Sequence, residues 1–232
     1  YLCDIRKPFE LQEEFDAVIH LAALVNVGES EQKPIDYYIT NLTGTMNIIN
    51  RINCKNFIFA STGAAEGCAS PYGISKRAAE DVVREFCIAH NPKPYTTFRF
   101  YNVIGSDGYE PTNMDGLMYN LIKAIDTGEF NVYGDDYDTY DGTALRDYIH
   151  VNEVCHAIKS AIDSPSNSKI DNLATGSGYS VMQMVDFFKQ ANKCDFKVNI
   201  LPRRPGDLAR SLLDDVSPYM EEKYTILEKL KI

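Results

Sequence analysis

Asn56-Phe-Ile-Phe-Ala-Ser61, closed by Thr62 and followed after a short link by Ser70-Pro-Tyr-Gly-Ile-Ser-Lys76, is the stretch on which the fold turns. The first segment is a continuous apolar run ending in hydroxyls, the pattern of a strand buried on both faces. The second opens a helix expected to span Pro71 to Ala89, with Ile74, Ala78, Ala79, Val82, Val83 and Phe86 on one side and Pro71 in its first turn. Working outward, Asp16-Ala-Val-Ile-His-Leu-Ala-Ala23 reads as another buried strand. Pro34 to Arg51 carries Ile35, Tyr38, Ile39, Leu42, Met46 and Ile49 at helical spacing, and Tyr95 to Val103 reads as a strand. Strands alternating with helices give an α/β fold whose parallel sheet is covered on both faces.

After about residue 105 the pattern loosens. Glycine, proline and aspartate crowd Gly105 to Gly116 and Gly134 to Gly142, as in functional loops. Helices are expected near Leu117 to Thr127, Asn152 to Asp163 and Ser180 to Ala191, with a strand near Ile170 to Ala174. The expected division is a sheet-forming region over 1–105, with later sheet elements near 145–175, and a ligand-covering region over 106–232.

With 44% hydrophobic and 24% charged residues, the 232-residue chain reads as globular. No apolar run reaches membrane-spanning length, and no secretory signal opens the chain. A net charge of -10 argues against nucleic acid but not against a small phosphorylated ligand, which needs only a few aimed cations. The six cysteines are scattered without a CxxC pair, so reduced thiols in a cytosolic protein are expected rather than zinc or disulfides. The acidic run Asp135, Asp136, Asp138, Asp141 lacks the closing Glu of a calcium loop and reads as solvated. No metal is expected.

Tyr72 and Lys76 carry the sharpest chemical signal. Four apart on a helix, they share a face, and a neighbouring ammonium is expected to lower a phenol's pKa from its usual ~10. Thr62, Tyr72 and Lys76, on a strand end and the next helix, have the geometry of a proton relay at the carboxyl edge of a parallel sheet. Each of these residues has a plainer reading. Tyr-x-x-x-Lys also arises by chance on solvated helix faces. His20 reads as a satisfied core histidine, Arg146-Asp147 as an internal ion pair, and the tyrosines Tyr133, Tyr137, Tyr140 and Tyr148 as packing.

Six blocks in register resemble the UDP-glucose 4-epimerase family of extended short-chain dehydrogenases/reductases. They are Asp16 to Ser30 continuing to Asn41 and Gly44-Thr45, Phe57 to Thr62, Ser70 to Lys76, Arg99-Phe-Tyr-Asn102, Tyr133 to Val151, and Arg204-Pro-Gly-Asp-Leu208. The resemblance implies a Rossmann-like, doubly wound parallel sheet with a smaller C-terminal substrate-binding α/β region. It implies NAD as cofactor, with Asp4 and Ile5 at the adenine, Leu21, Ala22 and Ala23 under the dinucleotide, Asn41 at the pyrophosphate and Tyr101 beside the nicotinamide. It makes Tyr72 the base, Lys76 its tuner and a ribose ligand, and Thr62 the bridge to the sugar oxygen. For the UDP-sugar it implies Asn102, Arg146 and Arg204 at the phosphates, Asn131 and Tyr133 beside the uracil, and Asp207 on the ribose. Ser211 falls where side-chain bulk limits the sugar pocket. A homodimer is implied through the Pro34–Arg51 and Pro71–Ala89 helices.

The sequence also departs from the family. The chain opens at Tyr1 without the glycine-rich turn that anchors the dinucleotide, so an N-terminally truncated fragment is expected. Val25 replaces a lysine, Ala65-Glu66-Gly67 replaces Val-Tyr-Gly, and Asp115-Gly116-Leu117 replaces Asn-Asn-Leu. The implied activity is 4-epimerisation of UDP-glucose and UDP-galactose through a transient 4-keto sugar. The alternatives are a related 4,6-dehydratase, 4-reductase or 5-epimerase, and an inactive module unable to hold NAD. Dehydratases place Asp-Glu after the active-site Thr, whereas Thr62 is followed by Gly63-Ala64.

Overall fold

The structure is a computed structural model that describes residues 2–105, 113–165, 169–204, 206–213 and 224–232. Residues 106–112 of the expected Gly105–Gly116 loop, and Pro205 of the Arg204–Asp207 block, lie outside the described residues. In chain order the elements begin with β1 (Glu14–Phe15), β2 (Val18–His20), α1 (Val27–Gln32), α2 (Pro34–Tyr37), a π-helical turn (Tyr38–Thr43) and α3 (Gly44–Arg51). Then come β3 (Asn53–Cys54), β4 (Phe57–Thr62), α4 (Ala64–Gly67), α5 (Pro71–Glu85), a second π-helical turn (Phe86–His90), β5 (Tyr95–Phe100) and β6 (Asn102–Ile104). Next are α6 (Leu117–Thr127), β7 (Glu129–Tyr133), β8 (Leu145–His150), α7 (Val151–Asp163) and β9 (Lys169–Leu173). The chain ends with β10 (Gly178–Ser180), α8 (Val181–Asn192), β11 (Lys197–Leu201), β12 (Arg210–Ser211) and α9 (Ile226–Lys229).

Two compact units result, one from 1–100 with 158–172 and the other from 101–157 with 173–232. In the first, the strand order is β2-β4-β5-β9, and β4 runs parallel to both β2 and β5. All six positions of β4 are buried, so both its faces are covered, as its unbroken apolar run anticipates. Phe57 and Phe59 pack with Ile48, Ile49, Ala79 and Val83 from α3 and α5. Each phenylalanine is fully buried, a contribution of roughly 1.5–3 kcal/mol apiece. Ser70 caps α5, its Oγ accepting from the Gly73 amide at 3.2 Å, and Pro71 occupies the first turn.

The helix faces differ from the expected ones. Around α2 and α3 the buried residues are Tyr37, Asn41, Gly44, Thr45, Ile48 and Ile49, while Ile35, Ile39 and Met46 are exposed. Along α5 they are Tyr72, Gly73, Ser75, Lys76, Ala79, Glu80 and Val83, while Ile74 is exposed. Both helices carry apolar residues on two sides, and polar side chains with partners inside the unit win the sheet-facing side. The π turn, unforeseen by the 3.6-residue spacing, falls at Asn41 and rotates the helical residues beyond it.

In the second unit β8 is central, pairing with β6 and β12 in parallel and with β10 antiparallel. β7 and β11 form a separate parallel pair. Its core gathers Leu121, Val132, Tyr148, Met184, Phe188 and Phe196.

Candidate functional site

In the first unit the site sits where β2 and β4 end. Thr62, the last residue of β4, is largely buried, and its hydroxyl accepts from the Ala64 amide at 3.2 Å. That leaves its proton free to act on the Tyr72 phenol, whose ionised form it favours. Gly73 lets α5 come this close, because a Cβ there would stand 2.4 Å from the Ala64 carbonyl oxygen. Burial pushes the Tyr72 phenol above its usual range and the Thr62 hydroxyl opposes that rise. Lys76 shares Tyr72's face of the helix but does not lower the phenol's pKa as expected. Its ammonium lies 4.3 Å from the centre of the Phe59 ring, and burial pushes its own pKa down to about 7. Among the described residues it has no hydrogen-bond acceptor, so a buried donor is left for a ligand hydroxyl.

The loop after β2 exposes Leu21 and Ala22, with Ala23 half-buried, a low surface over which a flat ligand could pass. Asn41 shapes this loop from beneath. It is fully buried, with Oδ1 accepting from the Leu24 amide at 2.8 Å and Nδ2 donating to the Leu24 carbonyl at 3.0 Å and Ser75 Oγ at 3.1 Å. Its amide is therefore committed to holding the loop, not extended toward a pyrophosphate. His20 is satisfied in the core, with Nε2 2.9 Å from Thr45 Oγ1. Thr45 donates its own proton to the Asn41 carbonyl at 2.6 Å, so His20 is the donor and neutral, its pKa pushed down to about 3 by burial. Asp4 is clasped by Arg6, which holds its carboxyl down at about 2. The Ile5 carbonyl accepts from Asn47 Nδ2 at 2.8 Å.

In the second unit, Asn102 donates from Nδ2 to the Asp147 carbonyl at 3.1 Å, and Tyr101 donates its amide to the Leu173 carbonyl at 3.3 Å. Arg146 and Ser211 are register partners across β8 and β12. Asp147 does not pair with Arg146. Its buried carboxylate accepts from Thr175 and Gly176 at 2.8 Å, leaving Arg146 without an ion pair among the described residues. Arg204 likewise has no ion pair there, and its guanidinium lies 3.8 Å over the Tyr133 ring. Asn131 is exposed and Asp207 stands in the exposed turn after Arg204. The aspartate-rich loop has local partners: Asp136 pairs with Arg203 at 2.6 Å, and Asp141 accepts from Thr143.

Sequence reasoning missed one residue beside Tyr72 and one that acts on Lys76. The Tyr37 ring meets Tyr72 edge-on at 6.2 Å, with the Tyr37 hydroxyl donating to Glu29 at 3.1 Å. Glu80, buried one turn beyond Lys76, was signalled only by the four-residue spacing Tyr72, Lys76, Glu80.

Comparison with known proteins adds an independent line. The NAD dependent epimerase/dehydratase family matches residues 2–174. UDP-glucose 4-epimerase of Yersinia enterocolitica is 34% identical over 223 residues, covering 84% of this chain and 66% of that protein. The enzyme of that name from Bos taurus is 35% identical over 227 residues, covering 85% and 65%. The crystal structure of UDP-glucose 4-epimerase from Bifidobacterium longum in complex with NAD+ and UDP superposes with a TM-score of 0.83. It is 32% identical, and the match covers 93% of this chain and 74% of that one. The chain thus spans just under two thirds of the length of these two curated relatives.

Proposed function

The chain belongs to the NAD dependent epimerase/dehydratase family, and on that premise we propose that it serves NAD-dependent epimerisation of a UDP-hexose at its fourth carbon, interconverting UDP-glucose and UDP-galactose. What carries this is the buried Tyr72 phenol, whose pKa the Thr62 hydroxyl acts to lower, with Lys76 one helical turn further along the same face of α5. Tyr72, once ionised, takes the proton of the sugar's 4-hydroxyl and becomes the phenol, and the Thr62 hydroxyl stabilises the phenolate form that accepts it. As the transient 4-keto sugar is reduced on its other face, Tyr72 returns the proton. Lys76 would hold the cofactor ribose through its buried amine.

The first unit fits NAD: a buried Lys76 with no hydrogen-bond acceptor among the described residues, a low exposed surface at Leu21 to Ala23, and Asp4 and Ile5 for the adenine end. When bound, NAD supplies the hydride acceptor and donor. Asn41 acts by holding the loop. The second unit provides what a UDP-sugar needs. Arg146 and Arg204, without carboxylate partners among the described residues, together with Asn102 take the diphosphate. Asn131 and Tyr133 take the uracil, Asp207 the ribose, and Ser211 borders the hexose. Ile35, Ile39, Met46, Ile74 and Ile88 are exposed on the α2–α3 and α5 helices, which supports a homodimer through those helices. Six free cysteines favour the cytoplasm.

The test is to purify the full-length protein, measure bound NAD by its absorbance after denaturation, and assay UDP-galactose conversion. Bound NAD with conversion supports the proposal. A folded, NAD-loaded protein inert toward both UDP-hexoses refutes it.

A further inference from the structure

Tyr72, Lys76 and Glu80 recur every fourth residue along α5, so one face of the helix carries a phenol, an ammonium and a carboxylate in order. Glu80 is fully buried and its carboxylate is satisfied from two strands. Ser61 Oγ donates to Oε1 at 2.5 Å. Arg99 closes a fork, with Nε to Oε1 at 2.9 Å and Nη2 to Oε2 at 2.7 Å. Ser61 and Arg99 are register partners across β4 and β5, and Thr62 comes directly after Ser61. A two-pronged buried bond resists both sliding and rotation of the helix, since neither motion preserves both prongs. The carboxylate therefore anchors α5 to the strand position next to Thr62.

We propose that Glu80 is a positioning residue for the Tyr72–Lys76 pair: anchored by Ser61 and Arg99, its carboxylate fixes where the Lys76 ammonium lies against β4. This rests on reading Tyr72 as the proton acceptor. The charges around Lys76 within this unit support it. His20, from β2, is neutral near pH 7. Arg99, from β5, is matched by Glu80 and lies 3.9 Å from Glu66 on α4. Tyr72 on α5 and Tyr37 on α2 are neutral phenols. Among the described residues that leaves Glu80 as the buried anion acting on Lys76, and it opposes the fall in pKa that burial causes.

The test reads Lys76 itself, in full-length protein without substrate. Lysine is isotope-labelled at Cε, its NMR shift is followed against pH, and the Lys76 signal is assigned by its loss in Lys76→Arg. In Glu80→Gln the Lys76 midpoint is expected to fall by about one pH unit, which is about tenfold less ammonium at a given pH above the midpoint. If that variant fails to fold, Glu80→Gln combined with Arg99→Met removes both buried charges, a replacement that is often tolerated, and a smaller fall in the same direction is expected because the Arg99 cation leaves with the carboxylate. An unchanged midpoint in either folded variant overturns the proposal. So does failure of both to fold, because Glu80 would then serve stability alone. Since no sugar or cofactor is present, this outcome is independent of whether Tyr72 proves essential for turnover.

Discussion

The candidate residues of the two units are built in opposite ways. In the first unit Thr62, Tyr72 and Lys76 are buried, and their surroundings shift the pKa of Tyr72 up and that of Lys76 down. In the second, Arg204 and Asp207 are exposed and Arg146 is half-buried, and neither arginine has a carboxylate partner among the described residues. Proton transfer gains from a low dielectric that a phosphate clamp does not need. A charged ligand can instead be met by cations left unpaired, at little folding cost.

The largest effect expected from this contrast is on stability in the first unit. His20 is held at about 3, whereas the unfolded chain binds its proton near ~6.5. The unfolded state therefore holds more protons between those values. Stability from this group is complete above pH ~6.5 and falls by up to ~1.4 kcal/mol per unit as pH drops toward 3. Lys76, lowered to about 7, acts with the same sign between ~10.5 and 7. Urea midpoints across pH 4 to 7 should slope steeply in the wild type and less in His20→Gln, and equal slopes would break this half of the contrast. Next comes Arg146→Ala. Losing a charged hydrogen bond of ~1.5–3 kcal/mol should raise KM for UDP-galactose about 10- to 100-fold with kcat nearly kept. A kcat defect instead would put Arg146 in the chemistry.

Gly73→Ala sharpens the first unit further. Its Cβ would lie 2.4 Å from a backbone oxygen, so α4 or α5 must shift, at ~1–3 kcal/mol, measurable as a lowered Tm. An unchanged Tm would mean the contact yields freely. The smallest effect is at Ser211. Leu212, its neighbour, stands close to Gly178, where a Cβ would meet its Cδ2 at 2.7 Å, and a serine at 211 is small enough to leave room for a larger sugar substituent. UDP-N-acetylgalactosamine should therefore be accepted alongside UDP-galactose. Ser211→Tyr should shift the ratio of their rates about tenfold toward UDP-galactose. An unchanged ratio would remove residue 211 as the gate.

Much of this was legible in the sequence because it is local. The Ser70-Pro71 cap, the four-residue spacing of Tyr72 and Lys76, and the apolar run of β4 need only neighbouring residues to be read. The parts that were not legible depend on distant partners. Asp147 is captured by Thr175 and Gly176, some thirty residues on, and this is what frees Arg146 from the ion pair their adjacency suggested. Lys76 meets Phe59 from another element, which a helical wheel cannot show. The same holds for Asn41, whose buried amide depends on a π turn and a loop that periodicity does not encode.

The central claim is that Tyr72 is the buried group that moves the proton. It is tested most directly by kcat and KM of Tyr72→Phe on UDP-galactose, in full-length protein with its fold checked by circular dichroism. The account predicts kcat lower by about 10²- to 10⁴-fold with KM little changed, because only the hydroxyl is lost. A folded Tyr72→Phe protein with wild-type kcat would contradict it.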